Sequence, residues 1–293
     1  MAIDGNTKIF GVIGNPIEHS LSPNMHNANL ESLGLNYVYL PFHVYEDNIE
    51  YLIDGAKALN IQGLNVTIPH KINVIKYLDE IDPLAEKIGA VNTINFEYKS
   101  DKTIAKGYNT DVLGAMRALK EKTDIKDKDV LVLGAGGASR AICYGLTEEN
   151  VNSITILNRN LERALDLAGD ITSSTEYTVN FDDFENIDTH LRDTDIIINT
   201  TPVGIYPNIY DKPLIYAQQM NPNMVVFDIV YTPLETGLLK EAKKIGATRV
   251  SGLKMFVYQG AESFKIWTGK DADIKAMEKS VMKESGIHSL KDF

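Results

Sequence analysis

Two stretches of this sequence combine residue types and spacing suited to binding anions. The first is Gly134-Ala135-Gly136-Gly137-Ala138-Ser139, which follows the apolar run 130–133 and opens the helical pattern 138–146. Between a strand and a helix, the first glycine allows a tight turn and the second lets the backbone approach a pyrophosphate. The helix start then aims amide dipoles at the negative charge. The pattern departs from the dinucleotide fingerprint at Ser139, which stands where a third Gly or Ala would be. The plainer reading is an ordinary glycine-rich turn. The second stretch is Asn158-Arg159, at the end of the strand-like run 154–157, with Arg163 four residues further on. A site for NAD places an acidic residue there to hold the ribose hydroxyls. A carboxylate would repel a 2′-phosphate, whereas two guanidiniums within one helical turn clamp it through forked hydrogen bonds. NADP is therefore the expected cofactor, against the plainer reading of two arginines on a solvated helix face.

Polar residues interrupting apolar patterns form a second set. Ser20-Leu21-Ser22-Pro23 precedes a helix, and Ser22-Pro23 alone reads as an N-cap with proline at the first helical position. Asn65 and Thr67 fall on one side of the extended run 64–68. Lys71 follows at an expected helix start, where a cation opposes the helix dipole, so a role beyond local structure is expected of it. Asn109-Thr110-Asp111 reads locally as a cap for the next helix. The six histidines lack metal-ligand spacing and cysteine partners, so no metal is expected. Cys143 reads as a small buried apolar residue and Trp267 as packing for the C-terminal helices.

The elements that must position these groups alternate short β-branched runs with amphipathic stretches, the signature of α/β units with mostly parallel sheets. Strands are expected at 9–13, 37–42, 64–68, 90–96 and 103–105, with helices at 24–33 and 48–59 and a helical stretch from 71 toward 84. A second series begins near Lys126, with strands at 130–133, 154–157, 196–198, 225–229 and 249–251 and helices at 138–146, 161–168 and 234–245. The boundary is expected in or near a helix at 111–122, and the tail after Met255 is helical.

Composition bounds the function. At 293 residues the chain suits two domains, and 44% hydrophobic with 24% charged residues excludes disorder as the default. Lys plus Arg number 29 against 40 Asp plus Glu, a net charge of −11 that argues against nucleic acid or an anionic membrane as the main partner. A few local cations can still reverse the sign inside one pocket. One cysteine rules out an intramolecular disulfide. The start lacks a basic segment followed by an apolar run, and no apolar run approaches a membrane span. A soluble, cytoplasmic protein is expected.

Several ordered blocks together resemble the shikimate dehydrogenase family. They run from Gly11 to Pro23, Asn65 to Lys71, Gly89 to Thr93, Tyr108 to Asp111, Gly134 to Ala138, Asn158-Arg159 with Arg163, Asn199 to Gly204, Asp228 to Pro233 and Gly252 to Gln259. The resemblance implies an N-terminal mixed α/β substrate-binding catalytic domain (1–111 with 253–293) and a Rossmann-type doubly wound NADP-binding domain (112–252). The C-terminal helices would return to the first domain. It implies reversible reduction of 3-dehydroshikimate to shikimate by NADPH, within the route to chorismate and the aromatic amino acids. Ser20 and Ser22 resemble the pair that holds the substrate carboxylate. Asn65, Thr67, Asn92, Tyr231 and Gln259 match residues around the ring hydroxyls, the carboxylate and the catalytic lysine. Lys71 and Asp111 match the catalytic pair. Gly134, Ala135, Gly136, Gly137, Ala138, Asn158, Arg159, Arg163, Thr200, Ile229, Gly252 and Met255 match the cofactor side. Two positions depart from the pattern: Asn160, where Thr often follows Asn-Arg, and Lys254, often Gly. The chemistry suits these side chains: an ammonium at Lys71 stabilises charge growing on a carbonyl oxygen and can supply its proton, and Asp111 orients it, with the transferred proton assignable to either member of the coupled pair. A quinate/shikimate dehydrogenase using NAD is the nearest alternative, and a non-catalytic NADP or metabolite sensor a more distant one. The family implies a monomer or a homodimer.

Overall fold

The structure, a computed structural model, describes residues 3–100 and 102–284. The chain divides into two compact units. One holds the chain up to Thr110 and again from Gln259, and the other holds Asp111–Tyr258.

The first unit is built on a mixed six-stranded sheet. Its strands are β1 (Lys8–Gly14), β2 (Tyr37–His43), β3 (Gly63–Val66), β4 (Glu80–Ile81), β5 (Thr93–Tyr98) and β6 (Thr103–Tyr108), in the order β2-β1-β3-β5-β6-β4. β1 pairs in parallel with β2 and β3, whereas β5 is antiparallel to both β3 and β6. Side chains alternate across a strand, so β1, covered on both faces, has no charged or polar side chain after its exposed first residue, Lys8. Ile13 belongs to a core with Ile49, Ile53 and Leu64, and Phe10 and Val12 belong to another with Leu30 and Phe264. The first core receives α2 (Ile49–Ala58), which contributes Ile49, Ile53 and Ala56. α3 (Pro83–Ile88) begins at Asp82, whose side chain accepts the Leu84 N–H at 3.0 Å. α1 (Ser22–Ser32) buries Leu30 in the second core.

The second unit carries β7 (Asp129–Leu133), β8 (Ser153–Leu157), β9 (Val179–Asp182), β10 (Ile196–Asn199), β11 (Val225–Asp228) and β12 (Thr248–Ser251), all parallel. Their order is β12-β11-β10-β7-β8-β9, with the order reversing between β7 and β10. That is the doubly wound arrangement, in which a ligand crevice opens outside the carboxyl ends of the two central strands. Connecting helices are α4 (Thr110–Lys120), α5 (Gly137–Glu148), α6 (Leu161–Ser174), the single turn α7 (Ile187–His190) and α8 (Gly237–Lys244). α4 takes the chain into this unit, and α9 (Gly252–Thr268) carries it out at Gln259. α10 (Ile274–Glu284) then lies along α1, with the Asp273 N–H donating to Asn29 Oδ1 at 2.7 Å and Ser280 Oγ to the Asn24 carbonyl at 3.0 Å. No helix among the described residues is long and apolar enough to cross a membrane.

Four local expectations are corrected. The stretch 71–84 is not one helix but a 3-10 turn at Asn73–Tyr77 followed by β4. Asp79 accepts the Ala105 N–H at 2.6 Å and the Asp82 N–H donates to the Gly107 carbonyl, so this segment joins the edge of β6. Lys71 thus precedes a turn, and the helix-dipole argument for it lapses. β3 stops at Val66 rather than Ile68, because the His70 N–H turns back onto the Thr67 carbonyl at 3.0 Å. Ser22 is the first residue of α1, not its cap, and no side chain caps that helix. Trp267 packs the C-terminal helix α9 as expected, against the sheet: its Nε1–H donates to the Ile94 carbonyl at 2.9 Å, and its ring fills the space where a Gly63 Cβ would stand. The edge strand β9, four residues long with two of them exposed, had no strong apolar pattern to announce it.

Candidate active site

In the first unit, residues from distant parts of the sequence meet in one buried polar web. Asn65 Oδ1 accepts from the Tyr39 hydroxyl at 2.7 Å. Its Nδ2 lies 2.9 Å from Ser263 Oγ, 3.1 Å from Thr93 Oγ1 and 3.2 Å from the Asn92 carbonyl. Ser263 donates to the Gln259 carbonyl at 2.9 Å and touches Thr93 and Thr110 at 2.8 and 3.1 Å. Asn92 Oδ1 accepts the Thr110 N–H at 2.7 Å, while Asn92 Nδ2 faces Gln259 Oε1 at 3.5 Å. Because Oδ1 is taken by a backbone donor, the amide of Asn92 is fixed with its N–H side toward Gln259. Asn65 spends both N–H groups on internal acceptors, a commitment that its reading as a direct substrate ligand did not include.

The same web reaches the two expected catalytic residues through the backbone. The Lys71 carbonyl accepts the Val91 N–H at 2.8 Å, and the next residue, Asn92, holds the N–H of Thr110, which Asp111 follows on α4. Ahead of Lys71, buried His70 anchors the turn by bonding the Val44 carbonyl through Nε2 at 2.7 Å. Ser20 Oγ accepts the Ser22 N–H at 3.3 Å, so both serines sit at the entry to α1. Thr67, partly buried, packs its methyl where a Gly14 Cβ would stand. Tyr39, Thr93 and Ser263 were not singled out from sequence. Asn65 meets Tyr39 across 26 residues and Ser263 across 198, so no local pattern announces them.

In the second unit, the glycine turn lies at the end of β7. Gly134 has φ +106°, and a Cβ there would stand 2.6 Å from Thr200 Oγ1, which itself donates to the Leu133 carbonyl at 2.7 Å. Gly134 and Thr200 therefore flank the point where the strand order reverses. Gly136 and Gly137 face open space, and no side chain caps α5. Exposed amides at a helix start with no competing cap fit a pyrophosphate. Ser139 is fully buried and donates to the Gly134 carbonyl at 2.7 Å, so the departure from glycine closes the turn. Ala135 and Ala138 complete this loop without polar side chains.

At the end of β8, Asn158 Nδ2 donates to the Asn160 carbonyl, and Asn160 caps α6 by accepting the Arg163 N–H at 3.2 Å. Arg159 and Arg163 are exposed, and among the described residues neither has an ion-pair partner. Gly252 is forced by backbone: a Cβ would lie 2.2 Å from the Ile229 carbonyl oxygen. Met255 is buried on α9. Tyr231 stacks on Phe256 at 4.5 Å, and burial together with the nearby Asp111 charge raises its pKa. Lys254 is turned to α4, 3.5 Å from Glu121 Oε2 and 3.3 Å from the Tyr258 hydroxyl. Among the described residues no cluster of His, Cys, Asp or Glu is arranged to hold a metal.

The strand order, the uncapped glycine turn and the unpaired arginines define a two-unit α/β protein with a Rossmann unit built for a phosphorylated dinucleotide. Family models for the shikimate dehydrogenase substrate binding domain, for shikimate / quinate 5-dehydrogenase and for the shikimate 5′-dehydrogenase C-terminal domain match residues 12–94, 116–231 and 252–282. The chain belongs to the shikimate dehydrogenase family. It is 54% identical to shikimate dehydrogenase (NADP+) of Methanobrevibacter smithii over 96% of this chain and 98% of that one. It is 50% identical to the protein of that name from Methanocaldococcus jannaschii, with the same coverage. A crystal structure of a shikimate dehydrogenase in complex with NADP+ superposes with a TM-score of 0.91, at 49% identity and 97% coverage of both chains.

Proposed function

We propose that this chain is an NADP-dependent shikimate dehydrogenase, reversibly reducing the ring ketone of 3-dehydroshikimate to the alcohol of shikimate. The observation that carries the reading is the backbone route from Lys71 through Val91 and Asn92 to Thr110, which ties the proposed acid and the start of the helix bearing Asp111 to one buried dipeptide. NADPH, when bound, supplies the hydride. The amides of Gly134–Ala138 would hold its pyrophosphate, with Asn158, Arg159 and Arg163 at the 2′-phosphate and Thr200, Ile229, Gly252 and Met255 along the rest of the cofactor. Lys71 gives its Nζ proton to the ketone oxygen as charge develops there, and Asp111 orients that amine. Ser20 and Ser22 donate to the carboxylate, and Asn92 and Gln259 orient ring hydroxyls. Tyr231, kept protonated by burial beside Asp111, is a donor rather than a second anion. The route to chorismate and a cytoplasmic setting belong to the same proposal.

The test is initial-rate absorbance at 340 nm with shikimate or quinate, each against NADP and NAD. Shikimate with NADP should give the highest kcat/KM; quinate with NAD exceeding it overturns the substrate and cofactor assignment. Lys71→Ala should lower kcat by about 10²–10⁴-fold while the Kd for NADP, read by calorimetry, stays within about twofold. A variant that retains turnover removes Lys71 from the chemistry.

A further inference from the structure

Asp228 has no role in the site as read from sequence, yet it is a fully buried carboxylate between two loops assigned to the cofactor. It ends β11, is 0% exposed and lies in register with Asn199, which ends β10. Among the described residues it has no cationic partner, so hydrogen-bond donors alone meet its charge. Oδ1 accepts from Asn199 Nδ2 at 3.0 Å and from the Val230 N–H at 3.1 Å, and Oδ2 accepts from the Thr236 hydroxyl at 2.6 Å.

Proton counting fixes each of these partners as a donor. Asn199 Oδ1 is taken by the Thr201 N–H at 3.0 Å and the Thr201 hydroxyl at 2.7 Å, so the amide turns its nitrogen to Asp228. Thr236 Oγ1 accepts the Leu239 N–H at 3.3 Å, which leaves its proton for Asp228. The Val230 N–H can only donate. Two accepting oxygens complete this set, whereas a carboxamide offers one. The bonds fasten two segments at once. Asn199 and Thr201 flank Thr200 in the chain leaving β10, and Val230 follows Ile229 in the chain leaving β11. The Ile229 N–H also donates to the Asn199 carbonyl at 3.1 Å. β10 and β11 lie across the order reversal from β8, in the half of a doubly wound sheet that takes the second mononucleotide.

We propose that Asp228 is a positioning residue for the nicotinamide half of NADP, bracing the loops after β10 and β11 in the form that receives it. The inference rests on the cofactor reading above, in which Thr200 and Ile229 lie along the dinucleotide. Calorimetry compares NADP with adenosine 2′,5′-bisphosphate, which lacks the nicotinamide half. The titrations are run at pH 8, above the value of about 6 to which burial raises the Asp228 pKa. Asp228→Asn keeps the side-chain shape and removes the charge and one accepting oxygen. Its Kd for NADP should rise about tenfold, the size expected for losing a hydrogen bond to a charged group. The Kd for NAD should rise by the same factor, because the two cofactors share their nicotinamide end. The Kd for the bisphosphate should stay at the wild-type value. Thr236→Val, also nearly isosteric, removes one donor and should raise the Kd for NADP about threefold, again sparing the bisphosphate. An unchanged Kd for NADP in Asp228→Asn overturns the inference. If that variant fails to fold by far-UV circular dichroism, an unchanged Kd in Thr236→Val does so. An equal loss for NADP and the bisphosphate overturns it as well, because it marks a general disturbance of the unit. A wild type that binds neither compound sinks the cofactor reading; wild-type binding with insensitive variants sinks this inference alone.

Discussion

Arg159 is the residue proposed to decide which dinucleotide the second unit favours. It is exposed, unpaired among the described residues, and stands where an NAD site carries an acid. Arg159→Ser should raise the KM for NADP by about 10–100-fold, the worth of a charge-assisted hydrogen bond, and leave the KM for NAD near its starting value. Steady-state assays with both cofactors measure this, and equal effects would show that the guanidinium does not read the 2′-phosphate. Asp228 makes a second prediction. Burial pushes its pKa up to about 6 despite hydrogen bonds from Thr236, the Val230 N–H and Asn199. A carboxyl whose folded pKa lies above its unfolded value of 3.8 contributes most below about pH 4, and that contribution is lost as pH rises through 6. The gap corresponds to on the order of 3 kcal/mol. The Tm of the wild type minus that of Asp228→Asn should therefore fall between pH 4 and pH 7. A difference that is flat with pH would mean Asp228 stays ionised throughout.

Among the elements, α9 has the most demanding seat. Gly260 lets it approach α1 so closely that a Cβ would stand 2.3 Å from the Met25 methyl, and Trp267 lies flat enough on β3 to require Gly63. Trp267 also joins Phe10, Tyr39 and His26 in one aromatic group with centroids 5.1–6.2 Å from its own. Trp267→Ala should cost about 3–5 kcal/mol, measured by urea unfolding followed by far-UV circular dichroism. A loss below 1 kcal/mol would mean that α9 is held elsewhere. The helix matters to the site because Ser263 and Gln259 lie on it, so its seating and the polar web are set together.

For the whole molecule, the two compact units separate the groups proposed to bind the cofactor from the single tryptophan. The single tryptophan is in the first unit, whereas the glycine turn and both arginines are in the second. NADP at one hundred times its Kd should raise the free energy of unfolding by about 2.7 kcal/mol, seen as a higher midpoint by circular dichroism. NAD at the same concentration should shift that midpoint less, and equal shifts would contradict the role given to Arg159.

Alternating apolar runs, a glycine turn after a four-residue strand and the absence of an acid after the next one are local features. They determined the α/β class, the dinucleotide unit and the preference for NADP, because strand period, turn geometry and charge sign need only neighbours along the chain. Blocks carrying Lys71, Asn92, Asp111 and Gln259 likewise identified the family. Tertiary structure alone decided how those residues are held: that the strand stops before Thr67, that Ser22 opens a helix rather than capping it, and that Tyr39, Thr93 and Ser263 lock Asn65. Each depends on hydrogen bonds or close contacts between segments far apart in sequence, and burial, which makes such bonds specific, exists only once the sheet and helices have packed.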